Sequence, residues 1–319
     1  MSLKCASFFA GIGGIDKGFE KAGFETIYAN EMDKNASITY KANYPNVHLD
    51  VCDIRDLDEK KDIPAFDIMI AGFPCQAFSV AGYRQGFDDE KGRGNLFFEL
   101  VRIIKAKKPK ILFLENVKNL VSHDDGKTFT IISNTLEELG YHVKPMVLNA
   151  SSYGNIPQTR ERIYIVCFKN LTQYRKFDFP KPIKLEKTLK NVIDFDTEQE
   201  KRYYYTESCT FYNQLRDSMK SSETCYQWRR VYVRENKSNL CPTLTANMGT
   251  GGHNVPLILT HDNKIRKLTP RECFNLQGFP DDFILPETLS NGALYKQAGN
   301  SVVVSVIERI ANEIRKAIE

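Results

Sequence analysis

The sequence predicts an α/β protein: a doubly wound, mostly parallel sheet of the Rossmann-like kind, joined to a smaller loop-rich β module. Three observations predict it. Short apolar runs alternate with segments of helical periodicity through the first half of the chain, the alternation breaks after Phe168, and an amphipathic segment, Val302–Ile318, lies near the end of the 319 residues.

In chain order, the first strand is read at Cys5–Phe9 and the first helix at Gly14–Lys21. Strands follow at Thr26–Asn30 and His48–Val51, with helical Lys34–Tyr44 between them. Strands Asp67–Ala71 and Lys110–Leu114 bracket a helix at Leu96–Lys107. Helix Thr128–Leu139 precedes strands His142–Leu148 and Ile163–Phe168. In such a sheet ligands sit beyond the carboxyl ends of the strands, so the residues just after each strand carry the chemistry.

After Phe168 the segment Gln173–Glu186 is rich in Lys, Phe and Pro, and Glu198–Ser222 is polar without a clear period. We therefore expect a large catalytic and cofactor-binding domain over 1–185 and a small domain over 186–266. Residues 267–319 form a hinge and a helix, apolar at Val303, Val306, Ile307, Ile310, Ile314 and Ile318, that returns to the large domain.

Composition bounds the function. With 42% hydrophobic and 26% charged residues the chain can build a large core. Its longest apolar runs, such as Ile111-Leu112-Phe113-Leu114, fall far short of the ~20 residues that cross a bilayer. Met1-Ser2-Leu3-Lys4-Cys5 runs straight into a strand without a secretory pattern, so a cytoplasmic location without a membrane is expected. The eight cysteines contain no Cys-x-x-Cys pair and the five histidines no zinc spacing, so reduced thiols and no metal are expected. A net charge of +4 only mildly favours a polyanionic partner.

The chemistry-bearing residues sit at strand ends. Phe8-Phe9-Ala10-Gly11-Ile12-Gly13-Gly14 is a glycine-rich turn, with Glu31 after the second strand and Asp53 after the third. Glycine lets backbone approach a ligand and a carboxylate there can grip a ribose, although such a turn can equally be structural. The dinucleotide fingerprint is incomplete, which disfavours hydride transfer. Ala71-Gly72-Phe73-Pro74-Cys75-Gln76 places a cysteine on a turn beyond a strand. Most cysteines are inert packing residues, but this position suits a nucleophile. The polar, glycine-rich Ser79–Asn95 reads as a lid. Glu115, leaving the next strand, is either a helix cap or a group that exchanges a proton with a ring nitrogen.

These residues together resemble the bacterial C5-cytosine DNA methyltransferases of restriction–modification systems: Phe8-x-Ala10-Gly11-x-Gly13-Gly14, Gly72-Phe73-Pro74-Cys75-Gln76, Glu115-Asn116-Val117, Gln158-x-Arg160-x-Arg162 and Gly299-Asn300-Ser301-Val302, in that order. The resemblance implies methyl transfer from S-adenosylmethionine to C5 of a cytosine flipped out of double-stranded DNA. It implies Cys75 as the nucleophile at C6, Glu115 as the partner of N3, and Arg160 and Arg162 as anchors of O2 and neighbouring groups. Phe8, Gly11, Gly13, Glu31, Met32, Asp53, Pro74, Asn300 and Ser301 would line the S-adenosylmethionine site, with Met32 standing where relatives commonly place tryptophan. Residues 186–266 would recognise the target, with Gln158, Arg229, Arg230, Arg234 and Thr243 on the DNA; an arginine cluster can also be a plain solvated face. The glycines of 249–252 either carry backbone into the major groove or make a hairpin turn. A monomer acting beside a separate restriction endonuclease is expected.

Three rival readings are weighed. An RNA cytosine-C5 methyltransferase would share the motifs but lacks a use for the sizeable variable module. An amino-group methyltransferase needs an Asp-Pro-Pro-Tyr type motif where Phe73-Pro74-Cys75 stands. A nonenzymatic DNA-binding regulator would not need Cys75, Glu115, Arg160 and Arg162 together.

Overall fold

The computed structural model describes residues 3–74, 96–250 and 254–319. Cys75, the segment 79–95 read as a lid, and residues 251–253 of the glycine-rich run lie outside them. The described residues form two compact units: 1–148 with 161–180 and 308–319, and 149–160 with 181–307. Residues 149–160 and 267–307, expected with the large domain or as a hinge, thus group with the second unit. The reason is that Gln158, Arg160 and the segment after Thr269 bond to residues between 194 and 301.

The first unit is built on a seven-stranded sheet in the order β3-β2-β1-β4-β5-β7-β6. Its strands are β1 (Lys4–Phe8), β2 (Glu25–Asn30), β3 (His48–Asp50), β4 (Ile68–Gly72), β5 (Ile111–Val117), β6 (His142–Asn149) and β7 (Glu161–Phe168). β1 to β5 run parallel and β7 is antiparallel to β5. Ile68–Ala71 and Ile111–Leu114 are completely buried, which is why they read as unbroken apolar runs: a parallel strand covered on both faces has no polar side.

The helices follow local rules. Asp33 caps the helix Lys34–Asn43 by accepting the backbone N–H of Asn35 and Ala36, at 2.9 and 3.1 Å. Helix Leu96–Lys107 buries Phe97, Leu100, Val101, Ile103 and Ile104 and ends on Lys105 and Lys107, matching charge to its carbonyl end. Helix Val304–Ile318 runs from the second unit into the first, where Ile310, Ala311 and Ile314 are fully buried and Arg315 donates to the Ala22 carbonyl at 3.0 Å.

The second unit holds a four-stranded antiparallel sheet in the order β11-β10-β8-β9: β8 (Tyr226–Trp228), β9 (Val233–Glu235), β10 (Leu257–Leu259) and β11 (Ile265–Lys267). Tyr226, Leu257 and Ile265 from this sheet pack with Leu215 and Met219. Arg266, fully buried, makes a two-point ion pair with Glu272 at 2.7 and 2.8 Å, so each of these two charges meets its opposite. No helix among the described residues is long and apolar enough to cross a membrane, and no group of them is arranged to hold a metal ion.

Candidate active site

β1 ends on the buried Phe8, and the chain then turns through left-handed backbone at Phe9 (φ 53°), Gly11 (φ 56°) and Gly13 (φ 80°). Glycine at 13 is required by space as well as by angle. A Cβ there would lie 2.2 Å from the ring of Tyr44, whose hydroxyl donates to the Gly13 carbonyl at 2.6 Å. A Cβ at Gly11 would meet nothing within 4 Å, so this side of the turn stays open to a ligand. Glu31, just past β2, braces the turn: its Oε2 accepts the Gly11 N–H at 2.8 Å and its Oε1 the Asp33 N–H at 2.7 Å. Burial raises its pKa, and the two amides work against that rise.

The neighbouring predicted residues differ in character. Met32 is 59% exposed, offering an apolar surface rather than a core contact. Asp53 caps a short 3-10 turn and pairs with Arg55 at 2.5 Å, and that arginine lowers its pKa. Pro74 is exposed just before the undescribed segment.

Beneath the turn lies a group the sequence did not point to. Asp16, 1% exposed, accepts hydrogen bonds from Ser7 Oγ at 2.9 Å and Tyr40 Oη at 2.8 Å. Its buried position pushes its pKa up to about 6 against those two bonds. The carboxylate therefore joins β1, the helix Gly14–Lys21 and the helix Lys34–Asn43 under the glycine-rich turn. A lone aspartate in an amphipathic helix carries no sequence signal of that kind.

At the carboxyl end of β5, Glu115 is paired with Arg162 on the adjacent β7, Nε to Oε1 at 3.1 Å, with side chains only 11% and 14% exposed. The antiparallel register sets Val117 opposite Arg162, which brings Arg162 diagonally across from Glu115, 47 positions away in sequence. Gly72, the last residue of β4, leaves room for the carboxylate: an added Cβ would stand 3.4 Å from Glu115 Oε2. Next to it, Asn116 Nδ2 donates to the Phe73 carbonyl at 2.8 Å, and its Oδ1 accepts the Val117 N–H at 2.8 Å. The strand end that leads into Cys75 is thereby fastened to β5. Asn116 was part of the sequence motif without an assigned role; a buried amide at a strand end was its only signal.

Two predicted contact residues prove to be internal. Gln158 is fully buried, its Nε2 donating to the Leu276 carbonyl at 2.7 Å and its Oε1 accepting the Leu244 N–H at 3.2 Å. Arg160 is 2% exposed, donating to the carbonyls of Leu244 at 2.7 Å, Gly299 at 3.0 Å and Ser301. Through these bonds both side chains clamp segments within the second unit. Thr243 Oγ1 donates to the Thr159 carbonyl at 2.5 Å and belongs to the same framework. Ser301 is buried and Asn300, ending the helix Asn291–Asn300, is exposed.

Arg229, Arg230 and Arg234 are exposed on the β8–β9 hairpin, where Arg230 takes a left-handed turn conformation (φ 65°). Gln227, Arg229 and Arg234 line a cavity of about 420 Å³ together with hydroxyl and amide side chains that include Thr243 and Asn247. Residues 246–249 form a 3-10 turn.

Comparison with known proteins agrees along the whole length. The model of the family described as C-5 cytosine-specific DNA methylase matches residues 3–316. Type II methyltransferase M.Bsp6I of Bacillus sp. (strain RFL6) is 61% identical over 318 residues, 99% of each chain. Type II methyltransferase M.HhaI of Haemophilus parahaemolyticus is 39% identical over 328 residues, covering 99% of this chain and 95% of the relative. Among solved structures, a mutant of Spodoptera frugiperda DNMT2 superposes with a TM-score of 0.75 at 20% identity, covering 98% of this chain and 100% of that one, a likeness of fold.

Proposed function

Because this chain belongs to the C-5 cytosine-specific DNA methylase family, and is a DNA (cytosine-5)-methyltransferase, we propose that Cys75, Glu115 and Arg162 carry the transfer, on a cytosine swung out of duplex DNA. The observation that carries this reading is the Glu115–Arg162 pair at 3.1 Å, held nearly dry at the sheet end where β4 leads toward Cys75.

Cytosine C5 is too poor a nucleophile to take a methyl group unaided. Addition of the Cys75 thiolate to C6 pushes the ring electrons toward C5, and the charge that builds on the ring is met by a proton at N3. Glu115 stands as the group holding that proton, and Arg162 fixes the carboxyl and offers further donors to the base oxygen. After C5 has gained its methyl group, loss of the C5 hydrogen lets the Cys75–C6 bond break and the aromatic ring return.

The methyl donor on this reading is S-adenosylmethionine, which when bound supplies an electrophilic sulfonium methyl. The residues of the first unit fit it: the open side at Gly11, the Glu31 carboxylate, the exposed Met32 and Pro74, with Phe8, Gly13 and Asp53 named by the same motifs. A carboxylate has more acceptor capacity than its backbone partners use, so Glu31 can meet a ribose hydroxyl while it braces the turn. The Type II relatives support a role in a restriction–modification system; on this reading the protein acts as a cytoplasmic monomer beside a separate endonuclease.

Incubation with methyl-labelled S-adenosylmethionine and duplex DNA, followed by bisulfite sequencing, tests the reading. Label in DNA at one bisulfite-resistant cytosine of a fixed site is expected. Label in transfer RNA with none in duplex DNA would overturn it.

A further inference from the structure

We propose that Arg234 reads a guanine of the DNA target in the major groove, with Gln227 and Arg229 holding it in place. This rests on the reading of the chain as a DNA methyltransferase and adds to it one base of the recognised site.

The geometry is confined to the β8–β9 hairpin. Gln227 and Arg234 are direct cross-strand partners, so their side chains leave the same face of the sheet and both line the cavity. Arg229 Nη2 donates to Gln227 Oε1 at 3.1 Å, which turns the Gln227 amide nitrogen outward. The outward face thus presents N–H donors: the Arg234 guanidinium, the Gln227 amide and the remaining Arg229 donors.

Arg55, Arg102, Arg162, Arg266 and Arg315 each face a carboxylate. Arg229 and Arg234 face none among the described residues, and no acid or lysine is among the residues lining the cavity. A surface made to hold phosphates uses lysines as readily as arginines. This one combines arginine with Gln, Asn and Thr, the side chains that read base edges.

The guanidinium fork of Arg234, which only donates, selects its base. In the major groove adenine and cytosine each present an amino donor, which would oppose it, and thymine presents one acceptor beside a methyl group. Only guanine offers two adjacent acceptors, O6 and N7, matching a guanidinium fork. Arg229 has already committed one nitrogen to Gln227, which leaves Arg234 as the reader.

The test uses the full chain and its mapped methylation site. Each guanine of the site is replaced in turn by 7-deazaguanine, which keeps base pairing and removes N7. At one position outside the target pair, wild-type kcat/KM should fall roughly tenfold to a hundredfold. With Arg234→Lys, which keeps the charge and loses the fork, the intact site should be methylated more slowly by a similar factor and the 7-deazaguanine penalty should shrink to near onefold. A wild type indifferent to 7-deazaguanine at every position, or an Arg234→Lys variant keeping the full penalty, overturns the assignment while DNA methylation itself stands. Absence of methylation on any duplex DNA would instead overturn the reading beneath it.

Discussion

Asn116 is hydrogen-bonded to the carbonyl of Phe73 at 2.8 Å, and both residues are 3% exposed. The bond joins β5 to the last buried residue before Cys75, so it holds the strand end from which the nucleophile departs. Asn116→Ala leaves a buried carbonyl without its donor and should lower stability by about 1–3 kcal/mol. It should also lower kcat more than it raises the DNA Kd. Denaturant titration with single-turnover kinetics checks this, and unchanged kcat in a folded variant would remove the residue from any positioning role.

The covalent step is open to trapping. On a duplex carrying 5-fluorocytosine at the target, loss of the C5 hydrogen is blocked, so a protein–DNA species stable to denaturing electrophoresis should accumulate with S-adenosylmethionine present. Cys75→Ser should abolish it. Glu115→Gln should slow its formation roughly a hundredfold to ten-thousandfold while DNA binding persists. A Cys75→Ser variant that traps like wild type would sink the mechanism.

On the proposed reading, Glu31 couples the cofactor site to the turn it braces. Glu31→Ala should weaken S-adenosylmethionine binding by about 1.5–3 kcal/mol, measured by calorimetry without DNA. Part of that loss should be structural, because the Gly11 and Asp33 amides lose their acceptor together. Full affinity in the variant would take Glu31 out of the site.

Asp16 sets a pH dependence of known sign. Its pKa stands near 6 in the folded protein, above the ordinary 3.8, so the folded state favours its protonated form. Its contribution to stability is therefore fully present below about pH 4 and lost as pH rises through 6. Full loss is on the order of 3 kcal/mol. Denaturation of wild type and Asp16→Asn between pH 4 and 7 should show the wild type declining relative to the variant across that window. A constant difference would place the ionisation elsewhere.

Strand and helix positions were legible because each is a local matter. Ile68–Ala71 is apolar on both faces, and Asp33 caps the helix that starts beside it. Glu115 was legible because a carboxylate breaks an apolar run at the strand end. The clamps were not. Gln158 and Arg160 look like contact residues in a basic, polar motif, and only carbonyls 84 to 141 positions away reveal that they are internal. Asp16 was hidden for a related reason, since its two partners come from two other elements. The antiparallel direction of β7 also has no local mark, yet it brings Arg162 to Glu115.

The division of the chain has a consequence for biosynthesis. The first unit takes its pieces from 1–148, 161–180 and 308–319, and the last of these supplies the fully buried Ile310, Ala311 and Ile314. A ribosome delivers those side chains only after the whole second unit has been made. Until then the face they cover stays open, so nascent chains accumulate long-range closures as their final event. Premature termination before residue 308 therefore yields a polypeptide whose first unit lacks the buried Ile310, Ala311 and Ile314.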